Sequence, residues 1–376
     1  MELRGLSPEE YEINTYKKGS NDVVNFGLSL YYACLLMAYL QNATQTMYIS
    51  EEWLAFERDV LGRRPLISGT VDEVRTAYAQ TSETLAALYP PPSSYNVVDH
   101  KETTESGIAI RVYTPTAIPT EVKLPVGVFA HGGGNVNGGA WASSFEDRMC
   151  RYVAHHAGVI IAQVDFRLAP EHPMPSQLND TFAAYRWCYE NAGRLRGDTS
   201  RFFAFGSSLG GGVAVGVALR LIDENLGHMV KGVVALCPSL VHPEFVPSEY
   251  EPLFKAYKET WTGAPLQDGQ SMLLFFSHNG GTKQCMNPYA FPLLHRGLSR
   301  LPPVYQAICE ADPVRDDSTI LKHVLDKHNV SNKVDSYPGM PHYFWLFPQL
   351  ASSEPFHHNV AEGVKWVIST MAEGSS

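Results

Sequence analysis

The stretch that most constrains this chain is Arg201 to Gly212, Arg-Phe-Phe-Ala-Phe-Gly-Ser-Ser-Leu-Gly-Gly-Gly. Phe202 to Phe205 is a short, unbroken apolar run, the pattern of a strand buried on both faces. The turn Gly206-Ser207-Ser208-Leu209-Gly210 follows, and Val213 to Ile222 then reads as an apolar helix. A serine in G-x-S-x-G between strand and helix sits on a sharp, strained turn with its hydroxyl raised above the sheet edge. Gly206 and Gly210 are needed there because a Cβ at either position would meet the neighbouring strand or helix. The helix starts just after Ser208, so the Leu209 amide and the helix dipole point at any negative charge formed beside that hydroxyl.

This unit is one of a series. Buried strands are expected at Pro125–Ala130, Val159–Asp165, Phe202–Phe205, Val233–Leu236, Val304–Cys309 and Lys333–Tyr337. Helices are expected between and after them, at Ser144–His156, Gln177–Asn191, Gly211–Glu224, Ser318–His328 and Val360–Met371. The alternation predicts an α/β fold with a mostly parallel central sheet and helices on both faces, with ligands at the carboxyl ends of the strands. Tyr95–Glu105 and Ile108–Tyr113 read as an antiparallel pair at the sheet edge, joined at Glu105-Ser106-Gly107.

Two regions fall outside that alternation. Pro90-Pro91-Pro92 breaks the chain and divides an N-terminal helical cap segment, residues 1–93, from a core spanning 94–376. Within the first, Glu51–Tyr89 reads as two helices split near Arg63-Arg64-Pro65, with apolar faces at Leu54, Phe56, Val60 and Leu61 and at Val74, Ala77, Leu85, Ala86 and Leu88. Val23–Leu40 carries no charge, and two readings stand for it: a buried or pocket-lining helix, or a membrane anchor or interfacial helix. Residues 242–297, rich in Phe, Tyr and Trp, form an insertion too long for a connecting loop and are expected to lie as a lid over the site.

A hydrophobic fraction of 44% allows a large core, and a net charge of −10 argues against nucleic acid as a partner. The six cysteines are widely spaced with no C-x-x-C pair, so neither a zinc site nor a redox motif is expected. Buried free thiols suit a reducing compartment. The expected location is therefore cytoplasmic, with membrane association through residues 23–40 as the alternative.

Three more segments carry chemistry. His131-Gly132-Gly133-Gly134 directly follows a core strand, and three glycines leave backbone N–H groups uncovered, able to converge on one oxygen. Asn135, Asn137 and Gly138 continue that loop toward the expected pocket. His342, in Gly339-Met340-Pro341-His342-Tyr343, follows the last strand, where an imidazole can reach a serine hydroxyl. Asp312 is the first acid on the loop that follows the strand ending at Glu310, and Pro313 keeps it out of helical geometry. Asp316 and Asp317 are read instead as the start of the next helix, where its dipole stabilises acids.

Together these motifs, with Asp165-Phe166-Arg167-Leu168-Ala169-Pro170-Glu171-His172-Pro173, resemble the hormone-sensitive-lipase family of carboxylesterases over roughly residues 95 to 372. The resemblance implies an α/β-hydrolase fold with a helical cap and a serine carboxylesterase that hydrolyses an apolar ester through an acyl-enzyme. It makes Ser208 the nucleophile, His342 the base and Asp312 its orienting acid, with the Gly133, Gly134 and Leu209 amides as oxyanion donors. Arg167 and Glu171 tie the loop beside the site, and no metal or organic cofactor is required. The family usually has an acid at the position of Ser207, a small residue at Leu209 and an aromatic one at Asn135. Leu209 should narrow the pocket floor and Asn135 should make its mouth more polar. Relatives on this scaffold also include dehydratases and cyclases of secondary metabolism, the first rival reading. Others are ligand receptors that have lost the histidine; His342 speaks against that role here.

Overall fold

The computed structural model describes residues 47–142 and 144–373. The apolar stretch 23–40, both of its readings, and Cys34 lie outside the described residues. Among those described, no helix is long and apolar enough to cross a membrane.

Eight strands form one sheet: β1 Val97–Thr103, β2 Ala109–Pro115, β3 Leu124–Ala130, β4 Ile160–Asp165, β5 Gly197–Ser207, β6 Gly232–Leu236, β7 Val304–Ala311 and β8 Asn332–Pro341. Their order across the sheet is β1-β2-β4-β3-β5-β6-β7-β8. The first two pairings, β1 with β2 and β2 with β4, are antiparallel, and every later one is parallel.

The apolar runs are continuous because each residue faces one of two cores. Val126, Val128, Phe202, Ala204, Val233 and Ala235 point to one side; Phe129, Phe203, Phe205, Val234 and Leu236 point to the other. Such period-two alternation with no polar face is what burial on both sides demands. Each fully buried Phe contributes about 1.5–3 kcal/mol from the area it removes from water.

The first face is covered by helices Ser176–Glu190, Leu209–Asp223 and Arg315–Lys327, the second by Ser144–Ala157 and Ser353–Glu373. In chain order the helices are α1 Glu51–Phe56, α2 Val71–Leu88, α3 Ser144–Ala157, α4 Ser176–Glu190, α5 Leu209–Asp223, α6 Ala256–Glu259, α7 Gly269–Asn279, α8 Arg315–Lys327 and α9 Ser353–Glu373.

Both expected N-terminal helices form, with different buried faces. The Ser50 side chain caps α1, which buries Trp53 and Phe56 against Phe347. A π-helical turn, Glu57–Leu61, then rotates the chain, and Val60 is left 56% exposed. Thr70 and Glu73 close a capping box on α2, which buries Val74 and Leu85 but leaves Leu88 at its end exposed.

Between the helices, Ile67 N–H donates to Leu266 O at 2.8 Å and Leu266 N–H to Pro65 O at 2.7 Å, so this segment pairs with the insertion. The insertion itself folds as α6, α7 and several single 3-10 turns. Two acids at the start of α8 anchor its first half. Asp317 accepts the amides of Leu240 and Val241, and Asp316 those of Lys255 and Ala256.

Candidate active site

At the carboxyl end of β5 the chain turns through Ser208 with φ 56° and ψ −128°, a conformation a residue with a Cβ adopts only when its surroundings impose it. Four backbone bonds do so. Ser208 N–H donates to Leu236 O at 2.8 Å, and Ser208 O accepts from Gly211, Gly212 and Ser239. The flanking glycines are sterically required, as the sequence predicts. A Cβ on Gly206 would lie 2.1 Å from Gly210 O, and one on Gly210 would lie 2.2 Å from His131 O.

Asp312 leaves the end of β7 and His342 the end of β8, so both reach the same rim as Ser208. His342 Nδ1 lies 2.6 Å from Asp312 Oδ2, and His342 Nε2 lies 2.9 Å from Ser208 Oγ. All three side chains are buried. An ionised carboxylate only accepts, so Nδ1 carries the proton and Nε2 accepts from the serine hydroxyl. The second Asp312 oxygen takes the Val314 amide at 3.0 Å, which fixes the carboxylate plane. A row of this kind can draw the proton from the hydroxyl as its oxygen attacks an electrophilic carbon.

Beside the row runs the loop after β3. Gly133 and Gly134 have φ of 88° and 66°. Cβ atoms there would lie 2.5 Å from Asn137 O and 2.2 Å from the Phe275 ring, so nothing larger than glycine fits. Their amides, and that of Leu209, donate to no acceptor among the described residues. Gly133 and Gly134 line the cleft above Ser208 together with Asn137, Ile67, Tyr78, Leu266 and Phe275.

His131 lies fully buried, stacked on Phe166 at 4.0 Å, with Nδ1 2.8 Å from Gly132 O. Burial pulls its pKa down to about 4, so it stays neutral and acts as a spacer under the loop. Asn135 departs from expectation. It is buried with φ 61°, and its carbonyl accepts the Ala169 amide, so its side chain does not reach the mouth of the cleft. The amide side chains that line it are those of Asn137 and Gln267.

Leu209 is buried in an apolar cluster with Met174, Tyr257, Met272, Phe276 and Phe291, where it props the insertion rather than lining the cleft. Arg167 pairs with Asp180 at 2.7 Å, and Glu171 with Arg75 at 2.7 Å. Both therefore tie down the loop after β4, through separate partners. Arg75, which also donates to Val136 O and Ala169 O from α2, carries no signal in the sequence.

Among the described residues, one group of metal-ligating types comes together: Cys237, Cys309 and Asp312, all buried. Both Asp312 oxygens are already bonded, and burial pushes both thiols up. The donor set thus suits neutral thiols packed beneath the row better than a resident ion.

Comparison with known proteins assigns the fold to a family. A family profile described as alpha/beta hydrolase fold matches residues 127–346. The chain is 36% identical to a versiconal hemiacetal acetate esterase of Dothistroma septosporum, over 86% of this chain and 96% of that protein. It is 34% identical to the enzyme of the same name from Aspergillus parasiticus, over 84% and 97%. Among solved structures, an esterase of Pyrobaculum calidifontis superposes with a TM-score of 0.70 at 27% identity, covering 85% of this chain and 98% of that one. The chain belongs to the alpha/beta hydrolase fold family, on its hormone-sensitive-lipase branch of carboxylesterases, and is a carboxylic ester hydrolase.

Proposed function

We propose that Ser208, His342 and Asp312 are the catalytic triad of a serine esterase that removes a small acyl group, acetate first among them, from an apolar, polycyclic alcohol of secondary metabolism. The observation that carries this reading is the unbroken hydrogen-bonded row from Asp312 Oδ2 through the imidazole to Ser208 Oγ. Ser208 Oγ attacks the ester carbonyl and His342 Nε2 takes its proton. The carbonyl oxygen, now negative, meets the Gly133, Gly134 and Leu209 amides, each such donor being worth about 10²- to 10³-fold in rate. His342 then protonates the departing alcohol. Water attacks the acyl-enzyme by the same route in reverse and frees the acid.

The substrate class follows from the size of the cleft. Its volume is about 40 Å³ beside Ser208, and Ile67, Leu266, Phe275 and Leu346 make its lining mainly apolar. The space beside Ser208 is narrow, which favours a short acyl group over a long chain. The acetate esters named for the fungal relatives have this shape, a small acid on a large apolar alcohol. Residues 47–93 of the N-terminal segment and the insertion 242–297 serve as the cap over the site. Their pairing at Pro65–Ile67 and Leu266 supports that division.

The test is mass spectrometry after a fluorophosphonate probe, together with turnover of p-nitrophenyl esters from acetyl to decanoyl. An adduct on the Ser208 peptide and a preference for acetyl are expected. Labelling elsewhere, or turnover of a carbonyl substrate without acyl-enzyme formation, would favour a dehydratase or cyclase on this scaffold instead.

A further inference from the structure

The structure assigns Glu146 as a positioning residue that holds the nucleophile turn, the base loop and the oxyanion loop in register from beneath, through bonds to a neighbour of each. Glu146 stands in the first turn of α3 and is buried. Its Oε1 accepts the Gly132 amide at 3.2 Å, at the start of the glycine loop. The same oxygen lies 3.2 Å from the hydroxyl of Tyr343, the residue after His342. That hydroxyl is also in close contact with Ser207 Oγ, the residue before Ser208, and Ser207 hydrogen-bonds to Glu146 as well. One carboxyl group thus meets a backbone amide and two hydroxyls, each one covalent neighbour away from a group in the proposed chemistry.

The steric fit around this knot is close. A Cβ on Gly132 would lie 2.0 Å from the Tyr343 hydroxyl oxygen. Tyr343 itself is held at φ 62°, next in the chain to the imidazole of His342. A shift of the carboxyl therefore reaches His342, Ser208 and the Gly133 amide together.

Ionisation state matters because the groups that converge on Glu146 donate. A carboxylate accepts from Gly132, Ser207 and Tyr343, whereas the neutral acid brings a further proton to a place already full of them. Burial raises the carboxyl to about 7, against the pull of Gly132, Tyr343 and Ser207. The titratable groups around it are Tyr343 after β8, Tyr78 on α2, Cys237 after β6, Cys150 on α3 itself and His131 after β3. Burial keeps Tyr343, Cys237, Cys150 and His131 neutral near pH 7. The folded-state pKa lies above the ordinary carboxylate value, so the matched, ionised form is gained as pH rises through about 7 and lost as pH falls through it. Its stability consequence has the opposite sign: a raised acid favours the folded state at low pH, and that contribution is lost as pH rises from the ordinary carboxylate value to about 7.

This assignment rests on the triad reading, and the experiment separates the two. Glu146→Gln is compared with wild type for kcat, KM, thermal midpoint, rate of fluorophosphonate labelling and the pH profile of kcat/KM with p-nitrophenyl acetate. Gln puts an N–H₂ among the donors, so kcat should fall about 10- to 100-fold with KM little changed, the scale of an ångström-sized misplacement. The acid limb should lose one of its two ionisations, its log–log slope dropping from above one to one. Ser207→Asp in the Glu146→Gln background returns a carboxylate to the same cluster and should restore part of kcat. A Glu146→Gln enzyme with wild-type kcat and acid limb overturns the assignment. Where that variant fails to fold, Tyr343→Phe serves in its place. It removes the hydroxyl that bridges Glu146 and Ser207, and wild-type kcat in that protein is equally fatal. If the triad reading itself is wrong, wild type takes no probe on Ser208, an outcome independent of either variant.

Discussion

Replacing Asp312 by Asn tests how the proposed triad works more sharply than removing its serine. The side chain is fully buried and each oxygen has one partner: Oδ2 the His342 Nδ1–H at 2.6 Å and Oδ1 the Val314 N–H at 3.0 Å. Asn has a single oxygen for two donors. If the oxygen stays with Val314, the N–H₂ faces Nδ1 and forces the imidazole proton onto Nε2, where it points at Ser208 and can no longer accept. If the oxygen turns to His342, the N–H₂ opposes the Val314 amide and leaves buried donors unpaired, costing about 1–3 kcal/mol. The first arrangement leaves every group bonded and should win. The enzyme should then fold normally while kcat falls about 10⁴-fold, as for the same change in a serine protease, or about 5 kcal/mol at 1.36 kcal/mol per decade. The assay is p-nitrophenyl acetate turnover near pH 7.5, with the thermal midpoint as control. A folded Asp312→Asn enzyme that keeps more than about a tenth of wild-type kcat would show that the tautomer argument fails.

The same geometry sets the outcome of other substitutions. Ser208→Ala should lower kcat about 10⁶-fold and abolish fluorophosphonate labelling, with an unchanged circular dichroism spectrum; retained turnover would move the nucleophile elsewhere. Leu209→Ala should destabilise the fold by about 2–5 kcal/mol in urea melts, because the leucine fills the cluster under the insertion. Its amide persists, so kcat should change far less than in Ser208→Ala. His357 is buried with Nδ1 2.7 Å from Ser353 O, and burial lowers its pKa to about 4. A histidine depressed in the folded state costs stability as pH falls from its unfolded value of about 6.5 toward that figure, up to about 3 kcal/mol. Replacing it with Gln should remove one proton from the slope of stability against pH over that window, and an unchanged slope would count against the burial argument.

Periodicity and turn chemistry carry local information, and what was legible in the sequence is what they determine. The six parallel strands could be read because burial on both faces forces an unbroken apolar run, and the serine turn because only glycine can flank it. Their ends were less visible. β5 begins at Gly197, before the apolar residues, where Arg201 and Ser200 bond to Asp198. Regular helix spacing places Val60 on a buried face, and the π-turn at Glu57–Leu61 breaks that spacing. The position of Asn135 between cleft residues points it at the cleft, but a left-handed backbone turns it inward. Glu146 gave no sign, being one of 39 acids and lying in an ordinary amphipathic helix.

The acids explain much of what was hidden. Asp316 and Asp317 read as helix-start residues, and α8 does begin at Arg315. Their carboxylates, however, accept amides about 60 and 77 positions away in the chain, at Lys255–Ala256 and Leu240–Val241. Asp312 accepts from Val314 and His342, and Glu146 from Gly132. Four buried carboxyl groups thus gather backbone donors from the loops at the carboxyl ends of the strands. A hydrogen bond to a charged acceptor is worth about 1.5–3 kcal/mol, more than a neutral one, and losing it strands a buried donor. Irregular loops with no ladder to satisfy their amides gain both order and stability from such acceptors. The same device has a cost in burial, visible in the raised carboxyls of Glu146 and Asp317. For these two acids it is ionisation, not protonation, that works against the folded state. Leu240 and Val241 share one oxygen of Asp317, so Asp317→Ala should free the start of the insertion and speed hydrogen exchange at Leu240 and Val241 while leaving the β5 amides protected; uniform exchange across both would mean the loops are held by packing instead.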